Sequence, residues 1–309
     1  MPTVRMRRNM IKAGLLLPVA WDSIFRMLYA ESDGEAKLEH FGLQLSTITS
    51  MLAQDFEGTL ETVARIGYDQ VEFSALGLLG RSADEVKSLL QKYGLEAPVG
   101  RVSVRMPAGF MSMPREQQMK FYASRGGINT LIDRIGHSIE EAKIFGQKYL
   151  IIPAIMPSSF SSKLQIEKMM EVIREGCEMC SQADIKLGYH NHHWEFQEVD
   201  GILPFDFMVM ETDRENFTFQ LDTYWVKKAG FEPIDYLEKY PGRFETCHFK
   251  DITAEGDFAD VGHGLLSFPL FTKAALAQGA KYFFVERDTS PDALASIKQS
   301  YQYLKDMQF

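Results

Sequence analysis

Residues 148–191 read KYLIIPAIMPSSFSSKLQIEKMMEVIREGCEMCSQADIKLGYHN. The stretch opens on a short apolar run (148–154) and closes on a second strand-like run (186–191). Between them apolar side chains recur at Ile166, Met169, Met170, Ile173, Cys177 and Cys180, the spacing of one helical face. Strand, returning helix and strand make a parallel β–α–β unit. Cys177 and Cys180 form a C-x-x-C inside that helical face, with no second pair to complete a zinc site, and so read as helix packing.

The same alternation extends in both directions. Further strand-like runs are FGLQLST (41–47), DQVEFS (69–74), APVGRVS (97–103), FTFQLD (217–222), FETCHFK (244–250) and KYFFVE (281–286). Amphipathic segments separate them, among them a long one over 115–146, and several end in glycine just before the next run, at Gly67, Gly94, Gly146 and Gly279. A left-handed glycine cap is what a helix needs where it turns back into a parallel strand. Eight β–α units predict a single (β/α)8 TIM barrel over residues 41–309, with no linker to divide it. No glycine-rich phosphate fingerprint follows the first strand, which argues against a dinucleotide fold.

Residues 1–30 differ in kind. A basic start (Arg5, Arg7, Arg8, Lys12) precedes a short apolar run, the order of an export signal, and RRNMIK resembles the twin-arginine pattern. The run is too short to span a bilayer, so no integral membrane helix is expected. Export, with a periplasmic destination, is the reading; a cytoplasmic protein with an amphipathic or disordered arm is the alternative. A net charge of −9 argues against nucleic acid as a partner, because phosphate contacts need clustered Lys and Arg. Three cysteines cannot form a disulfide framework for 309 residues.

In a barrel of this kind chemistry gathers at the C-terminal ends of the strands. The runs end on Gln44, Glu72, Arg101, then His190 to His193, Asp222, His248 with Lys250, and Glu286. Strands five to eight thus contribute His190, Asp222, His248 and Glu286, a mixed nitrogen and oxygen set suited to one Mn²⁺, Zn²⁺, Co²⁺ or Fe²⁺. Such an ion can polarise a carbonyl and stabilise the enediolate left when the neighbouring proton is removed.

The segments GYHNHHWEF (188–196), QLDTYWV, YPGRFETCHFKD, DVGHG and FVERD, in that order, resemble the strand-end motifs of the sugar phosphate isomerase/epimerase superfamily. These are the xylose-isomerase-like barrels that include inosose dehydratase and ketose 3-epimerases. The resemblance implies Asp222, His248 and Glu286 as metal ligands. In the epimerases a glutamate is usual at the fifth strand, where this chain has His190. Two-base epimerisation then lacks one carboxylate, which favours a dehydratase or keto-glycoside lyase over an epimerase or isomerase. Elimination needs one base beside the carbonyl and an acid at the leaving group.

Remaining roles follow residue type. Glu286, Lys250, His192 and His193 are the candidate catalytic groups, with Lys250 as enolate stabiliser or base. Gln44, Glu72, Arg101, Trp194, Glu195 and His263 are candidates for substrate binding. Arg101 stands where relatives often place histidine and would suit a carboxylate or phosphate; His263 and Ser267 stand where acids are usual. The expected partners are a small carbohydrate and an oxidoreductase that supplies its oxidised form, and a homo-oligomer is compatible. Rival classes are a metal-free sugar-binding barrel and an endonuclease IV-like repair enzyme, the latter disfavoured by the acidic balance.

Overall fold

Each apolar run carries a strand. In the computed structural model, which describes residues 36–107 and 109–309, the strands are β1 (Gly42–Gln44), β2 (Gln70–Glu72), β3 (Val99–Arg101), β4 (Tyr149–Ile152), β5 (Lys186–His190), β6 (Phe217–Asp222), β7 (Phe244–Phe249) and, after a hairpin, β10 (Tyr282–Val285). The hairpin, β8 (Asp251–Ile252) with β9 (Phe258–Ala259), is antiparallel and was not legible in the sequence. The description concerns residues 37–308, which form one unit. The proposed export segment, residues 1–30, lies outside the described residues.

The eight strands run in the order β2-β1-β10-β7-β6-β5-β4-β3, and neighbours pair in parallel. Glu96, just before β3, brings the sheet's two edges together. It accepts from the Val71 amide at 2.8 Å and donates its own amide to the Asp69 carbonyl at 2.9 Å. Toward the mouth a side chain spans the same seam, with Arg101 Nη1 3.4 Å from Glu72 Oε2. The molecule is a single (β/α)8 barrel.

Helices fill the expected connections, including Phe56–Ile66, Ala83–Tyr93, Lys163–Gln182 and Ala293–Asp306. Each of these four starts on a side-chain cap, from Asp55, Ser82, Ser162 and Asp292 respectively, satisfying an amide the helix leaves free. Gly94 (φ 68°) and Gly146 (φ 78°) close two helices in the left-handed conformation. The 115–146 segment departs from expectation. It divides into Arg115–Arg125 and Leu131–Phe145 because Gly126 and Gly127, poor helix formers, interrupt it. No helix among the described residues is long and apolar enough to cross a membrane. Cys177 and Cys180 are both free, and burial pushes both thiols up to about 12, so neither is a ready thiolate.

Inside the barrel, side chains form layers. Val99, Tyr149, Ile151 and Phe284 make an apolar cluster. Gly42 and Gly188 give that cluster its room: an added Cβ would stand 2.4 Å from the Phe284 ring and 2.6 Å from Ile151 Cδ1 respectively. Toward the mouth the buried positions turn polar at Gln44, Glu72, Arg101, His190, Gln220, Asp222, His248, Lys250 and Glu286. At the other end Glu245 accepts from Lys186 at 2.6 Å, Lys281 at 2.5 Å and the Tyr149 hydroxyl at 2.7 Å.

Candidate active site

Parallel register brings the strand ends together. Asp222 on β6 lies beside His248 on β7, and His190 on β5 beside Gln220 on β6. One ligand atom each from His190, Asp222, His248 and Glu286 lie within 4.8 Å of one another, and all four residues are buried. His190 Nε2 is 3.6 Å from Asp222 Oδ2, and His248 Nδ1 is 2.9 Å from Glu286 Oε2. Asp222 uses Oδ1 to cap the next short helix, accepting from the Trp225 amide at 2.9 Å. Its Oδ2 is buried without a hydrogen-bond partner. A buried carboxylate oxygen with no hydrogen bond, beside imidazole and carboxylate and with the Lys250 ammonium 3.6 Å away, fits a divalent cation, which takes such donors and needs less room than water.

Around the four runs a second ring of contacts. Glu72 accepts from His248 Nε2 at 2.7 Å, Gln44 Nε2 at 2.5 Å and Gln220 Nε2 at 2.8 Å. Gln220 Oε1 faces His190 Nδ1 at 3.0 Å and Arg101 Nη1 at 2.5 Å. Ser46 donates to Glu286 Oε1 at 2.7 Å. Lys250 Nζ is 2.6 Å from Asp288 Oδ1, 3.0 Å from Glu286 Oε2 and 3.6 Å from Asp222 Oδ2. It also lies over the rings of Trp225 and Phe258.

The electrostatics follow from burial set against these partners. Burial works to lower His248, yet Glu72 and Glu286 outweigh it and raise it to about 9. Burial lowers His190 well below its ordinary value, with His248 and Arg101 adding to the effect. Burial raises Asp222 despite Lys250, while for Glu286 the cations Lys250 and His248 overcome burial and hold it well below the carboxylate range. Burial works to lower Lys250, but Glu286, Asp222 and Asp288 raise it. Its three carboxylates hold Lys250 as an ammonium.

The structure brings some sequence candidates together and holds others apart. Gln44, Glu72 and Arg101 belong to the ring around the four, where each is bonded within the protein. Glu195 turns inward and is fully buried, its carboxylate on the Tyr189 hydroxyl and on the His192 amide at 3.0 Å. Burial, opposed by the Tyr189 contact, pushes that carboxyl up to about 8. His192 stacks on Trp194 at 4.3 Å and His193 faces Trp225 at 5.2 Å. Burial pushes His192 down to about 3, so at neutral pH its ring is uncharged. The Nδ1 atoms of His192 and His193 and the indole nitrogen of Trp225 are buried without a partner. His263 is not with them. It lines a separate depression of ≈ 510 Å³ with Gln299, Gln302 and Tyr303, because Asp251 gathers the amides of Gly262, Gly264 and Leu266 at 2.9–3.2 Å and folds that loop back.

Gln220, Asp288, Ser46 and Trp225 were missed from the sequence. Period-two alternation placed Gln220 on the same face as Asp222 and could have found it. Ser46 and Asp288 lie past their strand ends, where no periodicity applies.

Fold and site together define a (β/α)8 barrel with a buried His/Asp/His/Glu cluster at its mouth that could hold a metal. The chain belongs to the xylose isomerase-like TIM barrel family, whose model matches residues 60–307. Among solved structures it is similar to two sugar phosphate isomerase/epimerases from Parabacteroides distasonis. One is 20% identical with a TM-score of 0.71, covering 90% of this chain and 97% of that one. The other is 23% identical with a TM-score of 0.72, covering 87% and 98%. It is also similar to a 3-keto-D-glucoside 4-epimerase from E. coli, at 15% identity and a TM-score of 0.62, covering 86% and 99%. No curated protein sequence matches significantly. At these identities the likeness to solved structures shows the fold alone.

Proposed function

We propose that the chain is a divalent-metal-dependent enzyme that removes the proton beside the carbonyl of a keto-sugar or 3-keto-glycoside and then expels water or an alkoxide. The observation that carries this reading is the buried quartet of His190, Asp222, His248 and Glu286 with Asp222 Oδ2 unpartnered. A bound divalent ion would supply Lewis acidity to the substrate's carbonyl. Glu286 is the carboxylate positioned as base, its Oε1 oriented by Ser46. Lys250, kept charged by its carboxylates, lies beside Glu286, where it offsets negative charge developing on an oxygen. His192 and His193, neutral imidazoles, can each donate a ring N–H to a hydroxyl or to the leaving oxygen, which takes that proton as its C–O bond breaks, and Trp194 and Trp225 offer an aromatic wall on which a sugar face stacks.

Elimination is favoured over epimerisation because β5 contributes an imidazole where two-base chemistry wants a carboxylate. Proton removal next to a carbonyl is shared by both outcomes, so an epimerase is the alternative. A 3-keto-glycoside substrate requires an oxidoreductase upstream, and residues 1–30 are proposed as an export signal; a reporter fused to them that stays cytoplasmic contradicts the second point. The decisive experiment has two parts. Protein purified without chelator is expected to carry close to one Mn, Zn, Co or Fe per chain, and its absence sinks the metal reading. Incubation with ketoses and 3-keto-glycosides in D₂O is expected to yield an unsaturated or cleaved product; a deuterated epimer instead makes the enzyme an epimerase.

A further inference from the structure

We infer that Gln220 is a positioning residue that fixes the proton of His190 on Nδ1 and so aims the Nε2 lone pair into the space shared with Asp222, His248 and Glu286. The inference rests on the metal reading of that space. Gln220 lies on β6, two residues before Asp222, and is fully buried. Its amide could in principle face either way, but its partners decide. Arg101 Nη1, which can only donate, is 2.5 Å from Oε1. Glu72 Oε1, an ionised carboxylate oxygen that can only accept, is 2.8 Å from Nε2. Oxygen therefore faces Arg101, and nitrogen faces Glu72.

His190 Nδ1 stands 3.0 Å from that same carbonyl oxygen, so it must be the donor. A neutral imidazole carries one N–H, which leaves Nε2 as a lone pair. That atom is the one 3.6 Å from the unpartnered Asp222 Oδ2. Arg101 thus acts two bonds away from His190: its charge sets the glutamine, and the glutamine sets the histidine. The same glutamine also braces Glu72, which accepts from His248 Nε2 at 2.7 Å. One amide therefore links the outer contacts of both imidazoles, the kind of support that governs metal affinity elsewhere.

The test uses full-length protein and two substitutions. Gln220→Met keeps the volume and removes the acceptor; Gln220→Glu keeps an acceptor for Arg101 and His190 but removes the donor to Glu72. In metal-free protein with ¹⁵N-labelled histidine, the His190 resonances, assigned with His190→Gln, are expected to report a proton on Nδ1 in wild type and Gln220→Glu, and a mixture of tautomers in Gln220→Met. Titration with Co²⁺ alone, followed by its visible absorption against a competing chelator, is expected to show binding weakened about 10–100-fold in Gln220→Met. A proton on Nε2 in wild type, or Gln220→Met binding Co²⁺ as tightly as wild type, overturns the inference. Wild type that binds no Co²⁺ while His190 carries its proton on Nδ1 is a failure of the metal reading itself, and removes the positioning role with it. If Gln220→Met does not fold, the His190 tautomers of wild type and Gln220→Glu decide.

Discussion

Asp222 holds two oxygens in opposite circumstances. Oδ1 caps a helix through the Trp225 amide, whereas Oδ2 is buried without a hydrogen bond, beside a second carboxylate and 3.6 Å from Lys250, whose charge only partly offsets burial. A carboxylate in that position costs the metal-free fold stability, since burial and Glu286 both disfavour its charge. Asp222→Asn keeps the cap and removes the charge. Metal-free Asp222→Asn is expected to match or exceed wild type in thermal stability by about 1 kcal/mol, while its affinity for Mn²⁺ or Co²⁺ falls at least about 100-fold. Calorimetric melting and chelator competition measure the two; a variant less stable yet equally avid for metal would contradict the assignment. Legibility at this scale followed the backbone. His190 and Asp222 could be read because each ends its strand, and His248 because it stands one residue before the end of β7, while the placement of Glu195 could not, because Tyr189 on β5 draws its carboxylate inward.

Elements were legible where their pattern was strong. The β6 segment FTFQLD was read at its full extent, 217–222, because every position in it is buried. The helix over 115–146 was read as one because its apolar positions continue across Gly126 and Gly127, where backbone freedom breaks it. At the end of the barrel opposite the mouth, β7 contributes Glu245, which ties β4 and β5 through Tyr149 and Lys186 and reaches Lys281, just before β10. Burial alone would raise that carboxyl, but its two lysines and the tyrosine bring it from 4.5 down to about 2. A carboxyl depressed in the folded state stabilises fully above its unfolded value and loses that contribution as pH falls through its folded one. Glu245→Gln is therefore expected to lose about 1–3 kcal/mol at pH 7, with the difference from wild type shrinking between roughly pH 4.5 and 2. Urea midpoints across that window test it: a gap that stays constant with pH would show that Glu245 acts only by packing.

On the scale of the whole molecule, the four candidate ligands come from β5, β6, β7 and the end of β10, spread across half the barrel's circumference. An ion binding all four favours the folded barrel and has no comparable site in the unfolded chain. Saturating metal at about one hundred times its Kd is thus expected to add about 2.7 kcal/mol and raise the melting temperature accordingly. Scanning calorimetry with and without chelator checks this; equal melting temperatures would mean the quartet is not a metal site. The (β/α)8 architecture was legible from the repeat alone, since eight run–helix units allow few other arrangements. How β2 meets β3 was not, because the seam is made by Glu96, which lies just outside the run 97–103, and by the charged side chain of Arg101.

The strand order also has a consequence for assembly. Strands β3 to β7 pair with their neighbours in chain sequence, but β1 pairs with β10. Ser46 reaches Glu286, and the Arg287 amide reaches Thr47, each across 240 residues. Bringing such distant segments together carries a large loop-closure entropy. The Ser46–Glu286 contact therefore exists only in a chain whose first and last barrel strands have met, so the complete candidate site is a property of the completed ring and of no partly formed arc.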